Sequence, residues 1–245
     1  MLAEGSGPPV LLLHGSGPGT TAAAWAPLIA ALAPHHTVIA PDLLGFGSSP
    51  APSGPLRAAW TEQALALMDE LGHERFAVVG NSAGGAIALS VACARPRAVT
   101  RVVAVGSMGV EMPLPAGLDA LWAAESAQAV AELITFAPPS AETVAAREAA
   151  MAAQPGYREL FPAPRQRWVD ELSLTRPELE RISARVLLVH GAQDQIVPLH
   201  DSFLGLIEAL PDVRGHVFGR CGHASPLERT GEFNRLLTTF LETER

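Results

Sequence analysis

The sequence contains no lysine: all of its 17 cations are arginines, set against 25 acidic residues. No mechanism requires that replacement, and it reads as a feature of composition. The formal net charge of −8, with no arginine cluster, argues against a nucleic-acid partner. Cysteine is scarce as well. Cys93 and Cys221 alone cannot build a disulfide framework or a zinc finger, and they fit a reducing compartment. Long apolar runs are missing: no stretch reaches the roughly 18 uninterrupted apolar residues of a membrane span. The first residues also lack a basic segment followed by an apolar run. The expectation is a cytoplasmic protein with neither a membrane nor a nucleic acid as partner. What is present is apolar and of one-domain size. The chain has 245 residues, 48% of them hydrophobic, which suits one large α/β domain with room for an insertion.

Short β-branched runs occur at 10–13, 37–40, 76–79, 102–105, 186–189 and 216–218. Helical patterns separate them at 22–32, 60–71, 83–94, 202–210 and 233–241. Continuous apolar strands alternating with helices predict a mostly parallel sheet covered on both faces. One interval breaks the alternation. Residues 113–181 offer Ala/Glu-rich helical pieces interrupted by Pro138-Pro139, Pro155-Gly156 and Pro162–Pro164, and no convincing strand. We expect a core of residues 1–112 and 182–245 carrying a helical lid at 113–181.

The chemistry centres on Gly80-Asn81-Ser82-Ala83-Gly84. This G-x-S-x-G pattern follows an expected strand and opens an expected helix, where a sharp turn needs small neighbours to hold a serine clear of the backbone. A serine hydroxyl is a poor nucleophile without a base and an orienting acid. Asp194 follows the strand at 186–189, and His223 follows the last strand, so the order is Ser, acid, His. Asp42 competes for the acid role but precedes the serine and suits a turn. Among eight histidines, His223 stands between Gly222 and Ala224 on a loop after a strand, the placement a base needs. "LLLHGSGPG", residues 11–19, runs a strand into a glycine-rich loop that can present backbone N–H groups beside the nucleophile. A phosphate-binding loop is excluded, because no Gly-Lys-Ser/Thr follows.

Taken together, His14-Gly15-Ser16-Gly17-Pro18-Gly19, Pro41-Asp42 through Ser48, Gly80–Gly85, Asp194 and Cys221-Gly222-His223 resemble an α/β-hydrolase. More narrowly the chain is similar to the meta-cleavage product hydrolases of aromatic catabolism. The segments "GSMGVEMPLPAGLDALW" and "FPAPRQRWVD" look like the 2-hydroxymuconate semialdehyde hydrolase branch. The resemblance implies a serine enzyme that works without metal or organic cofactor. It would ketonise an anionic 2-hydroxy-6-oxo-dienoate, then add water to C6 through Ser82, with His223 as base and Asp194 orienting it. The N–H groups of Ser16 and Ala83 would hold the oxyanion. Substrate contacts would come from Gly15, Gly17, Asn81, Arg147 and Trp168, and a homodimer is compatible with the family. A carboxylesterase would use the same triad. A non-catalytic ligand receptor on the same fold is the rival from another class. A dehalogenase or epoxide hydrolase would need Asp at position 82, which the sequence excludes.

Three departures stand out. Trp25 occupies a place where relatives carry Asn, and Ala224 follows the histidine where Trp is common. Only nine residues precede the first parallel strand, where relatives carry an antiparallel hairpin. Either the start is truncated or the sheet lacks an edge. Arg147 is the best match for a lid arginine that holds the substrate carboxylate, with Arg158, Arg165 and Arg167 as the other candidates in that segment.

Overall fold

The computed structural model describes residues 1–154 and 156–243. Seven strands form one sheet in the order β1-β3-β2-β4-β5-β6-β7. They are β1 (Leu2–Glu4), β2 (Pro9–Leu13), β3 (Thr37–Ala40), β4 (Phe76–Asn81), β5 (Val99–Val105), β6 (Arg185–Gly191) and β7 (Val213–Phe218). All neighbours pair in parallel except β1, which lies antiparallel on β3 with Leu2 opposite Ala40. The sheet therefore keeps an antiparallel edge, reduced to three residues. "MLAE" carries no apolar run long enough to read as a strand, and pairing to β3 supplies what the local sequence does not.

Helices alternate with the strands: α1 (Ala26–Leu32), α2 (Leu56–Glu70) and α3 (Ala83–Ala94) come before β5. Between β5 and β6 lie α4 (Ala116–Ala123), α5 (Ala127–Ile134), α6 (Ala141–Ala152), α7 (Gln166–Leu172) and α8 (Arg176–Glu180). After β6 come α9 (Phe203–Ala209), α10 (Ser225–Glu228) and α11 (Thr230–Glu242). The helix expected over 22–32 is divided. Thr21 caps a single 3-10 turn at Ala22–Trp25, and α1 begins afresh with Pro27 in its first turn.

The strands alternate their apolar side chains between two cores. Leu11, Val78, Val102 and Leu188 face α2 and α3, while Val10, Val79, Val103 and Val189 face α1 and α11. Helix α3 is buried all round, from Ala83 to Cys93, because it is covered by the sheet on one side and by other helices elsewhere. Such burial fixes its N-terminus, and so Ser82, against the carboxyl edge of the sheet. No helix among the described residues is long and apolar enough to cross a membrane.

Candidate active site

Ser82 joins β4 to α3 with φ 57° and ψ −120°. This backbone region costs a non-glycine residue on the order of 1–3 kcal/mol. The surroundings hold it there. The Ser82 N–H donates to the Val105 carbonyl at 2.8 Å, and the Ser82 carbonyl accepts from Gly85 N at 2.9 Å and Met108 N at 3.2 Å. The two flanking glycines are required by space. A Cβ at Gly80 would fall on the Gly84 carbonyl, and one at Gly84 on the carbonyls of Leu13 and His14.

His223 and Asp194 meet at the same edge. His223 Nδ1 lies 2.8 Å from Asp194 Oδ2, and both residues are buried. The other carboxylate oxygen, Oδ1, accepts from the backbone N–H groups of Ile196 at 2.8 Å and Val197 at 3.0 Å. The carboxylate thus aims one oxygen at the imidazole and anchors the other in its own loop. Ser82 and His223 line one cavity, without a hydrogen bond between their side chains. Asp42 stands apart, accepting from Ala22 N at 2.7 Å, and shapes a turn. The neighbouring Cys221 thiol is pushed up to about 12 by burial first, and so stays protonated.

The glycine loop sits directly against the serine. A Cβ at Gly15 would lie 3.1 Å from Ser82 Cβ. Its orientation is set by His14. The Leu43 N–H donates to His14 Nε2 at 3.0 Å, so the ring proton resides on Nδ1, which donates to the Gly15 carbonyl at 2.8 Å. Burial pushes His14 down to about 4, keeping it neutral. With that carbonyl pinned, the trans peptide turns the Ser16 N–H away from His14. Two side chains of the β5–β6 interval brace the same residue: Trp122 Nε1 donates to Ser16 Oγ at 3.1 Å, and the Tyr157 hydroxyl to the Ser16 carbonyl at 2.7 Å. Ala83, the first residue of α3, has its N–H free of intrahelical acceptors, as at any helix start.

The cavity has a volume of about 580 Å3. Gly15, Ser16, Gly17, Asn81, Ser82, Arg147 and His223 all line it. Arg147, on α6, donates to the Pro18 carbonyl at 2.9 Å and to Thr20 Oγ1 at 3.0 Å. Among the described residues no carboxylate pairs with it, and burial lowers its pKa from the ordinary arginine value. Leu121, Val130 and Ile134 add an apolar wall. Trp168, expected at the substrate, is not among the residues lining this cavity; it donates to the Pro162 carbonyl at 3.1 Å, with Phe161 against its ring and Arg167 over it. Arg165 is tied to Asp119 at 2.8 Å, and the side chain of Arg158, like Pro155, lies outside the described residues.

Three further neighbours surround the site, and only Trp25 was marked in the sequence. Trp25 lines the cavity, and its indole N–H is buried without an acceptor. His190 Nε2 lies 2.7 Å from the Val197 carbonyl and 3.4 Å from Asp194 Oδ2. Its place four residues before Asp194 was the available signal, but a histidine inside a strand reads as packing. Glu228, at the end of α10, is the third.

A sheet of this topology, with a strained serine between β4 and α3 and an acid–histidine pair after β6 and β7, defines a serine hydrolase of the α/β class. Residues 10–236 match the model of the alpha/beta hydrolase family. The chain belongs to that family and, within it, to the meta-cleavage product hydrolases. It is 39% identical over 250 residues to 2-hydroxymuconate semialdehyde hydrolase of Pseudomonas sp. (strain CF600), covering 97% of this chain and 88% of the relative. A 2-hydroxy-6-oxo-2,4-heptadienoate hydrolase of Pseudomonas putida is 38% identical, with 98% and 91% covered. Among solved structures, a meta-cleavage product hydrolase from Pseudomonas fluorescens superposes with a TM-score of 0.93 at 34% identity, covering 98% of this chain and 92% of that one.

Proposed function

We propose that this protein hydrolyses the C5–C6 bond of a 2-hydroxy-6-oxo-dienoate with a small group at C6, of the 2-hydroxymuconate semialdehyde type, in aromatic catabolism. One observation carries the reading: Arg147 is a half-buried guanidinium with no acid partner among the described residues, lining the same cavity as Ser82 and His223. A cavity cation left unpaired by the protein suits a substrate with a carboxylate remote from the reacting carbonyl. The segment 113–181 acts as the lid that excludes water.

In this reading the dienol is first ketonised. Ser82 Oγ then adds to the C6 carbonyl as His223 takes its proton, and Asp194 fixes the imidazole. The N–H groups of Ser16 and Ala83 receive the oxyanion. The C5–C6 bond breaks with its electron pair passing to C5 and on to the C2 ketone, while His223 returns the proton. Water then releases the acyl group as an acid. No metal or organic cofactor takes part, and the enzyme is cytoplasmic.

The test sets the dienoate against a neutral p-nitrophenyl ester, which the same triad could cleave. A hydrogen bond to a charged group contributes roughly 1.5–3 kcal/mol, so Arg147→Ala is expected to lose about ten- to two-hundredfold in kcat/KM on the dienoate. The ester should barely change. Unchanged kcat/KM on both substrates would overturn the anchor and favour an esterase.

A further inference from the structure

We infer that Glu228 is a positioning residue that ties the lid to His223, so that seating of the lid sets the imidazole. The inference rests on the reading of Ser82 and His223 as nucleophile and base. Glu228 ends α10, five residues after the histidine. Its Oε1 accepts the Gly222 N–H at 2.7 Å, on the residue immediately before His223. Its Oε2 accepts the Phe136 N–H at 2.8 Å and the Ala137 N–H at 3.2 Å, at the chain just past α5. One carboxylate therefore joins the base loop to the lid segment.

The same junction is closed from the other side. The Ala224 N–H, on the residue immediately after His223, donates to the Ile134 carbonyl at 2.8 Å. A Cβ at Gly222 would lie 2.9 Å from Ile134 O, Phe136 N and Thr135 C, so the two backbones are in direct contact. Ala224 is thus bonded to Ile134 directly, Gly222 reaches residues 136–137 through Glu228, and Ile134 itself lines the substrate cavity. A shift of that corner must pass into the backbone that carries the imidazole. Charge strengthens the link, because N–H donors to a carboxylate bind more firmly than to a neutral acceptor.

The test reads Ser82 directly and needs no natural substrate. A fluorophosphonate labels an activated serine at a rate that depends on the base. Labelling should vanish in Ser82→Ala; if it persists there, both readings fall together. Glu228→Gln keeps the shape but turns an amide NH2 towards backbone donors, and labelling should slow about tenfold to a hundredfold. The low-field proton resonance of the His223–Asp194 bond should broaden or disappear in the same variant, a change that mere loss of stability would not produce.

The lid side is tested at Phe136. Thr135 already has φ −113° and ψ 148°, the extended conformation preferred before proline, so Phe136→Pro removes the N–H without forcing the preceding residue. Phe136→Ala keeps the N–H and removes an exposed ring, over which the Arg220 guanidinium lies 5.3 Å from the centroid. Labelling should slow about tenfold in Phe136→Pro and stay within about twofold of the parent in Phe136→Ala. Equal rates for these two variants would overturn the coupling, leaving Glu228 to the base loop alone. A Glu228→Gln protein with parental rate and resonance would overturn the assignment entirely. Should Glu228→Gln fail to fold, the Phe136 pair decides the question.

Discussion

Ser82 keeps a backbone conformation that few residues tolerate, held by backbone hydrogen bonds to Val105, Gly85 and Met108. If the strain serves nucleophilic attack, removing the hydroxyl should cost what removal of one member of a cooperative triad costs. Ser82→Ala is expected to lower kcat by roughly 10³–10⁶, and His223→Ala by a similar factor. The double variant should be scarcely worse than either, since the two act as a unit; steady-state turnover of the dienoate would show it. A Ser82→Ala protein within about tenfold of the parent would remove the assignment. These positions were legible because local geometry dictates them. Only glycine fits where Gly80 and Gly84 approach other carbonyls, and the pattern survives in the sequence. Glu228 and His190 were not legible. Their roles come from partners 91 or 92 residues away for the one, and from a carboxylate brought beside a strand for the other.

At the scale of elements, short apolar runs exposed six of the seven strands. β2 to β6 are largely buried and so mostly apolar, while the edge strand β7, largely exposed, showed only its last three residues. β1 escaped, being three residues long and held by its neighbour. Trp168 lies off the cavity for a related reason: sequence similarity marks its segment, but the side chain's direction depends on how α7 packs. Helix α5 carries the specificity argument. Val130 and Ile134 are one turn apart and line the cavity with Leu121, and in the proposed reading they narrow the space for a C6 substituent. The parent should therefore turn over aldehyde or methyl ketone products more efficiently than the phenyl ketone. Ile134→Ala should reverse part of that preference. Differences of this size in an apolar pocket are worth about 10–200-fold, so the phenyl-to-methyl ratio of kcat/KM is expected to rise at least about tenfold. A parent already faster on the phenyl product, or a ratio unmoved by Ile134→Ala, would place the acyl group elsewhere.

For the molecule as a whole, two histidines near the carboxyl edge of the sheet, His14 in the loop after β2 and His190 in β6, are buried in the neutral state. His14 orients the glycine loop, and His190 stands beside the Asp194 carboxylate. Burial is the main cause of the lowered pKa in both, and for His14 the value falls from 6.5 to about 4. The sign of the consequence follows from proton counting. Between those two values the unfolded chain binds a proton at His14 that the folded protein refuses, so folding stability rises with pH across that window. The contribution is complete above about pH 6.5 and is lost as pH falls towards 4. Between pH 7.5 and 4.0 the loss attributable to this one residue is about 3 kcal/mol. Asn at position 14 can keep a donor for the Gly15 carbonyl while having nothing to titrate. Urea unfolding at the two pH values should therefore show a smaller acid loss for His14→Asn than for the parent, by about that amount, even if the variant is less stable at pH 7.5. Equal acid losses in the two proteins would mean that His14 titrates alike in both states, and that a neutral ring does not hold the glycine loop.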